Sequence, residues 1–339
     1  MMDSSLIDAH PAAANVKQIA AELPNIPGNR SSMERFIENI TYDPAKTPIY
    51  NNLQHLLSQR KAALSQETSI LFFMNGDSGF GSQLTQYAQN AYFLYTHFNP
   101  RLYCYPYFYK NNDFFKYHEE KYAGKNTFFM YFRAARIPPA NTKIDNIYFI
   151  ENRVYSYFPF FIYKTPPVSL EHNFKMLQHF YTSFNIRIGE NVFNYINQIR
   201  ENESGPVIGV HVRSAFQKRH HSGGYLETPI RMRLEKLHDR LKKAHGSNYT
   251  IFLATDTKLY IKWCIDIFGE GRVQYIENIE RIENEEDSVP NFKGAGFKLG
   301  ADILYDCLAL SLCNYCYVSN SNIPFIINML NLNVPMYEY

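Results

Sequence analysis

The chain holds a single tryptophan in 339 residues and no surplus of either charge, with Lys and Arg numbering 34, Asp and Glu 32, and a net charge of +2. A near-neutral balance with no dominant basic block excludes a general polyanion binder, so no nucleic-acid partner is expected. No apolar run reaches bilayer length, so no transmembrane segment is expected. Residues 1–30 lack a basic stretch followed by an apolar core and do not read as a signal peptide. The reading is cytoplasmic, with peripheral contact to a membrane surface left open. Cys104, Cys264, Cys307, Cys313 and Cys316 make an odd number without framework spacing, which points to reduced thiols. Cys313-x-x-Cys316 has no second pair, so it reads as small buried hydrophobes rather than as zinc or redox chemistry. His220-His221 also lacks further ligands at metal spacing, and no metal is expected.

What the chain does have is length and apolar content. At 339 residues and 45% hydrophobic composition it exceeds a usual single core, so two domains are expected. Gly205-Pro206 punctuates the chain and sets the boundary, giving domains at 1–204 and 205–339. Residues 1–30 read as an extension, and the aromatic 106–168 stretch as short strands and loops on the first domain. Aromatics reach 16%. Codon bias toward Phe and Tyr and an aromatic-lined acceptor cleft both remain open as its cause.

In the first domain Leu53–Leu64 reads as a helix, Ser69–Met74 as a buried strand and Ser82–Phe98 as a helix, with a further strand at Leu102–Tyr105. Helices are also expected over Leu170–Phe184 and Glu190–Asn202. The second domain alternates. Strands are expected at Val207–Val212, Tyr249–Ala254, Arg272–Ile276, Tyr315–Ser319 and Val334–Tyr337. Helices are expected at Pro229–Ala244, Lys258–Phe268, Leu299–Leu312 and Pro324–Leu330, and an acidic loop at Glu277–Asn291. Such alternation predicts an α/β fold of two Rossmann-like, doubly wound parallel sheets facing a cleft.

In open parallel sheets, ligands bind beyond the carboxyl ends of strands. Ile208-Gly-Val-His-Val-Arg213 ends a strand in His211 and Arg213, which share one strand face by the period of two. Arginine there suits an anion, because its planar donors match phosphate oxygens. Ile251-Phe-Leu-Ala-Thr-Asp256 ends in a carboxylate; Asp256 reads either as a site residue or as a helix N-cap. Asp306 sits inside an apolar helix, where a carboxylate needs a partner. Ser319-Asn-Ser-Asn322 joins a strand to a helix; its hydroxyls and amides suit phosphate, with helix capping as the alternative. Asn75-Gly-Asp-Ser-Gly-Phe-Gly81 is a Gly-rich turn before a helix. It is no P-loop, since no Gly-Lys-Ser/Thr follows, and Leu84 breaks the dinucleotide fingerprint. Either it is a tight turn, or it brings backbone close to a ligand with Asp77 and Gln83 at hand.

Taken together, these segments resemble the fucosyltransferase superfamily of GT-B fold. The likeness is to the α1,6-fucosyltransferases, including the nodulation type, and more distantly to protein O-fucosyltransferases and α1,2-fucosyltransferases. It covers roughly residues 69–100 and 205–330. It rests on Gly79-Phe-Gly-Ser-Gln-Leu84, Gly209-Val-His-Val-Arg213, Phe252-Leu-Ala-Thr-Asp256, and Asp306-Cys-Leu-Ala-Leu-Ser311 with Val318-Ser-Asn-Ser-Asn322. By that resemblance, Arg213 and His211 anchor the diphosphate of a nucleotide-sugar. Gly79, Gly81, Asp256, Ser319, Ser321 and Asn322 line the donor, and Asp306 reads guanine. One departure stands out: Ser214 follows Arg213 where the family continues with a second arginine. Lys218, Arg219 and Lys298 are the candidates for that charge.

The resemblance implies an inverting glycosyltransferase that moves a sugar, L-fucose from GDP-fucose, onto a glycan or lipid-linked oligosaccharide hydroxyl without metal or other cofactor. Asp77, Gln83 and Glu151 are the acceptor-side and base candidates. Three rivals remain: the same fold using another nucleotide-sugar, an inactive nucleotide-sugar or glycan binder, and a generic NAD-type Rossmann protein. The missing fingerprint argues against the last.

Overall fold

The computed structural model describes residues 31–43, 45–74, 101–107, 137–151, 186–202, 205–213, 230–279, 281–283, 296–319, 321, 323–331 and 333–338, with 81, 83, 84, 87, 90, 91, 94, 126 and 128–131. The chain forms two compact units.

The first unit contains α1 (Ser32–Glu38), β1 (Ile49–Tyr50), α2 (Leu53–Gln66), β2 (Ser69–Met74), β3 (Leu102–Tyr107) and β4 (Asn146–Glu151). Its sheet runs β1-β4-β2-β3, every pair parallel. All six residues of β2 and all six of β3 are buried. Such continuous apolar runs are what a strand covered on both faces requires. Phe72 stacks on Phe149 at 5.2 Å and meets Tyr107 edge-on at 5.4 Å, so the aromatics of this half fill its core. Described residues Leu84, Tyr87, Ala91 and Leu94 are helical and buried, as their spacing predicts. β1 lies outside the elements expected from sequence, and β4 falls in the 106–168 stretch expected to hold short strands and loops.

The second unit begins with α3 (Ile186–Asn202), which includes the expected Glu190–Asn202 helix. There follow β5 (Val207–Val212), α4 (Ile230–His245), β6 (Thr250–Thr255), α5 (Lys258–Phe268), β7 (Val273–Gln274), α6 (Gly296–Ser311), β8 (Tyr315–Val318), α7 (Ile323–Leu330) and β9 (Met336–Glu338). The sheet order is β7-β6-β5-β8-β9, all parallel. This is the alternation expected from sequence, shifted by a few residues at the ends.

Helices cover both faces of this sheet. Ile208, Val210 and Val212 of β5 and Ile251 and Leu253 of β6 share a core with Leu234, Leu237 and Leu241 of α4 and Tyr260, Cys264 and Phe268 of α5. The α4 leucines recur at i, i+3 and i+7, one helical face. Burying each contributes about 1.5–3 kcal/mol. Lys242, Lys243 and His245 in the last turn complement the helix dipole. Gly246, at φ 63°, ends the helix with its N–H on the Lys242 carbonyl at 2.9 Å.

The opposite face is built on Gly209. A Cβ there would stand 2.5 Å from Cys316 Sγ, 2.8 Å from Leu310 Cδ2 and 3.3 Å from Cys313 Sγ. All five cysteines are free and buried. Cys313 and Cys316 donate to the Ala309 and Leu310 carbonyls at 3.4 and 3.1 Å, so the CxxC pair is core packing. Gly209→Ala therefore overpacks this layer and should destabilise the protein by about 1–3 kcal/mol in urea unfolding. Wild-type stability in that variant would show that the layer has slack.

Candidate functional site

Strand order puts the reversal of the second sheet beside β5, its first strand, with β6 on one side and β8 on the other. That switch point is where parallel α/β sheets open a crevice beyond their carboxyl ends. The residues ending β5, β6 and β8 are therefore brought together by topology, although they lie far apart in sequence.

His211 is the penultimate residue of β5, in register with Ala254 and Val318. It is buried, and its Nδ1 shares a hydrogen bond of 3.2 Å with Ser319 Oγ. The Ser319 amide donates to the His211 carbonyl at 3.1 Å. Ring and hydroxyl thus hold each other across the switch point, 108 residues apart. Arg213 is the first residue beyond β5 and is half-buried there. Ser321 Oγ accepts from the Ile323 amide at 3.1 Å, so its hydroxyl caps the turn into α7.

Asp256 follows β6 directly. Its Oδ1 accepts from Thr257 Oγ1 at 3.1 Å, and its carbonyl accepts from the Ile282 amide at 2.9 Å. The helix N-cap position belongs to Thr257, not to Asp256. The capping alternative for Asp256 is thereby corrected: it directly precedes the cap residue, and its carboxylate instead accepts from the hydroxyl of that neighbour.

Asp306 lies within α6. Its Oδ1 is enclosed and has no hydrogen-bond partner among the described residues. Burial pushes its carboxyl up to about 8; Arg281 opposes that shift, and the negative charges of Asp302 and Asp256 add to it. A carboxyl with an enclosed oxygen and a strongly displaced pKa, within electrostatic reach of the residue ending β6, marks a candidate site on physical grounds. Nearby, the Tyr195 hydroxyl on α3 donates to the Tyr275 carbonyl at 3.0 Å, and burial pushes it up to about 12.

Arg281 is the residue that sequence reasoning missed. It falls in the Glu277–Asn291 stretch expected to be an acidic loop, and it is only 6% exposed. Ile282 is buried as well, bridges to Thr257 and accepts from the Lys258 amide at 2.9 Å. The chain therefore doubles back over the end of β6 here. Glu283, by contrast, is exposed and paired with Lys258. The signal was present in sequence: an arginine flanked by isoleucines at 279 and 282 within an acidic run.

Glu151 closes β4 in the first unit, and Gln83 is buried on the helical segment of that unit. Gly81 is helical and half-buried. Lys298 lies in the first turn of α6 by its backbone. Asp77, Gly79, Asn322, Ser214, Lys218 and Arg219 fall outside the described residues, as does the Leu170–Phe184 helix. Among the described residues no group of three or more His, Cys, Asp or Glu could hold a metal, and no helix is long and apolar enough to cross a membrane.

No protein-family model matches the chain, and no curated protein matches it in sequence. Among solved structures, it is similar to NodZ alpha-1,6-fucosyltransferase soaked with GDP-fucose, at 16% identity and TM-score 0.42, over 81% of this chain and 95% of that one. Fucosyltransferase NodZ from Bradyrhizobium matches at 16% identity and TM-score 0.41, over 80% and 95%. The glycosyl transferase family 9 structure from Veillonella parvula DSM 2008 matches at 10% identity and TM-score 0.33, over 80% of each chain.

Proposed function

We propose that the protein is an inverting glycosyltransferase that binds a GDP-sugar, GDP-fucose by the motif resemblance, at the carboxyl ends of β5, β6 and β8. The observation that carries this reading is the meeting of Arg213 and the His211–Ser319 pair at the switch point, with Asp306, whose Oδ1 is enclosed, within electrostatic reach of Asp256 at the end of the neighbouring β6. An arginine for phosphate and a carboxylate for N–H groups are the two chemistries a nucleoside diphosphate needs at its ends.

The residues divide the work by chemistry. As the sugar leaves, negative charge grows on the β-phosphate, and Arg213 with the Ser319 and Ser321 hydroxyls stabilises it. His211, held by Ser319, orients that end of the donor. Asp306 in its carboxylate form accepts from N1–H and the 2-amino group of guanine. Asp256 stands at the end of β6 for the sugar or ribose. With Arg213 supplying the charge, transfer proceeds without a metal. The acceptor is a glycan or lipid-linked oligosaccharide hydroxyl, deprotonated by a base for which Asp77 and Glu151 are the candidates.

Ser214 in place of a second arginine favours a second reading, the same chemistry with a different nucleotide-sugar. Release of nucleotide from GDP-fucose, GDP-mannose and UDP-glucose, measured without acceptor and in excess EDTA, separates the two. GDP release from GDP-fucose alone supports the first; turnover only of another donor moves the assignment to that sugar. Binding without turnover of any donor, with or without acceptor glycans, would leave a sugar-nucleotide binder.

A further inference from the structure

We propose that Arg281 is the donor half of a base-reading pair whose acceptor half is Asp306, and that the two select a base edge on which a carbonyl oxygen adjoins an N–H. This rests on the nucleotide-sugar reading above and adds to it a specificity residue outside every motif of the sequence.

Three observations carry it. First, the guanidinium is fixed before any ligand arrives. Its Nε donates to the Thr255 carbonyl at 3.1 Å, and its Nη1 to the Ile276 and Ile279 carbonyls at 2.9 and 3.1 Å. Its Cζ lies 5.5 Å from the centroid of the Tyr275 ring, so cation–π attraction adds to the hold. Second, Nη2 is buried with no partner among the described residues, and so is Asp306 Oδ1. Arg281 and Asp306 feel each other's charge, yet they form no ion pair among the described residues. Third, both belong to the same end of β6, the end that carries Thr255 and Asp256.

Capping three carbonyls accounts for Nε and Nη1 but not for Nη2. Buried donors and acceptors left unpaired are costly. A group that accepts from Nη2 and donates to Oδ1 removes both costs at once. Guanine does this with O6 and N1–H, and its 2-amino group offers the carboxylate a second N–H. Adenine presents the reverse pattern, an amine beside a ring acceptor, which would face donor to donor and acceptor to acceptor. A preorganised pair of this kind discriminates strongly, because the wrong base leaves both protein groups buried and unsatisfied.

The test is calorimetric affinity of the full chain for GDP, IDP, 6-thio-GDP and ADP, in wild type and in Arg281→Met and Arg281→Lys. Wild type should bind IDP within about tenfold of GDP and ADP at least ~100-fold more weakly. In Arg281→Met the GDP-to-ADP ratio should fall below about tenfold, with Arg281→Lys between. A role confined to holding the turn would weaken GDP and ADP alike and leave the ratio unchanged, which overturns the proposal. If Arg281→Met does not fold, wild type alone decides. The thio analogue keeps both N–H groups but has a weaker acceptor, so it should bind about tenfold less tightly than GDP, and equal affinity overturns the proposal. Wild type that binds none of these nucleotides would instead sink the nucleotide-sugar reading itself.

Discussion

Arg213→Ala should lower turnover by about 10²–10³ while leaving a cooperatively folded protein, corresponding to about 3–4 kcal/mol of lost transition-state stabilisation. The expectation follows from place and charge. Arg213 is the first residue beyond β5, at the end of the strand rather than inside it. The core of that strand is made by Ile208, Val210 and Val212, which the substitution does not touch. Charge on the leaving diphosphate grows along the reaction, so a fixed cation there acts on kcat more than on donor binding. Arg213→Lys keeps the charge and loses the planar fork, and should fall between wild type and alanine. Donor turnover by stopped assay, with circular dichroism on the same samples, checks both halves. Full activity in a folded alanine variant would remove Arg213 from the phosphate site.

The second large effect belongs to Asp306 and is read against pH. Its carboxyl, ordinarily near 3.8, is pushed up to about 8 by burial, with Arg281 opposing and Asp302 and Asp256 adding. The groups around it are thus Arg281, Asp302, Asp256, Cys307, whose own thiol burial pushes up, and Tyr195, which feels its charge. On the proposed guanine reading the N–H groups of the base need the carboxylate, so the neutral acid that prevails below about 8 would have to ionise on binding. Affinity for GDP should therefore climb by up to ~tenfold per pH unit between 7 and 8 and flatten above. Asp306→Asn should bind GDP weakly and without that climb.

Stability of the free protein runs the other way. The folded-state value lies above the unfolded one, so this group's contribution is complete below about 4 and is lost as pH rises through about 8. Asp306→Asn should therefore gain on wild type as pH rises from 4 to 9, by at most roughly 5 kcal/mol. Chemical unfolding of both proteins across that range checks the sign. A gap that widens toward acid pH would mean the carboxyl is ionised in the fold.

The second sheet was legible because its strands are unbroken apolar runs and its helices carry one apolar face. Val207–Val212 and Lys258–Phe268 match residue for residue. In the first sheet, β1 has two residues, too few for any period, and β4 starts with Asn146 and ends with Glu151 in an aromatic-rich stretch that hid its pattern. The site was legible where a strand simply stops, as at His211 and Arg213. It was not legible where backbone geometry decides. Nothing local shows that Arg281 reaches the carbonyl of Thr255, 26 residues earlier, or that Thr257 rather than Asp256 holds the cap. The His211–Ser319 contact likewise exists only because β5 and β8 pair in parallel.

The central claim, a guanine nucleotide seated at the carboxyl ends of β5, β6 and β8, is tested most directly by thermal unfolding with GDP, UDP, CMP, ADP and NAD, each with and without magnesium. A ligand that binds only the folded chain at 100 times its Kd adds about 2.7 kcal/mol of stability. The expected result is a clear upward shift with GDP that magnesium does not change and that Asp306→Asn loses. A shift with ADP or NAD of equal size, or none with GDP, would contradict it.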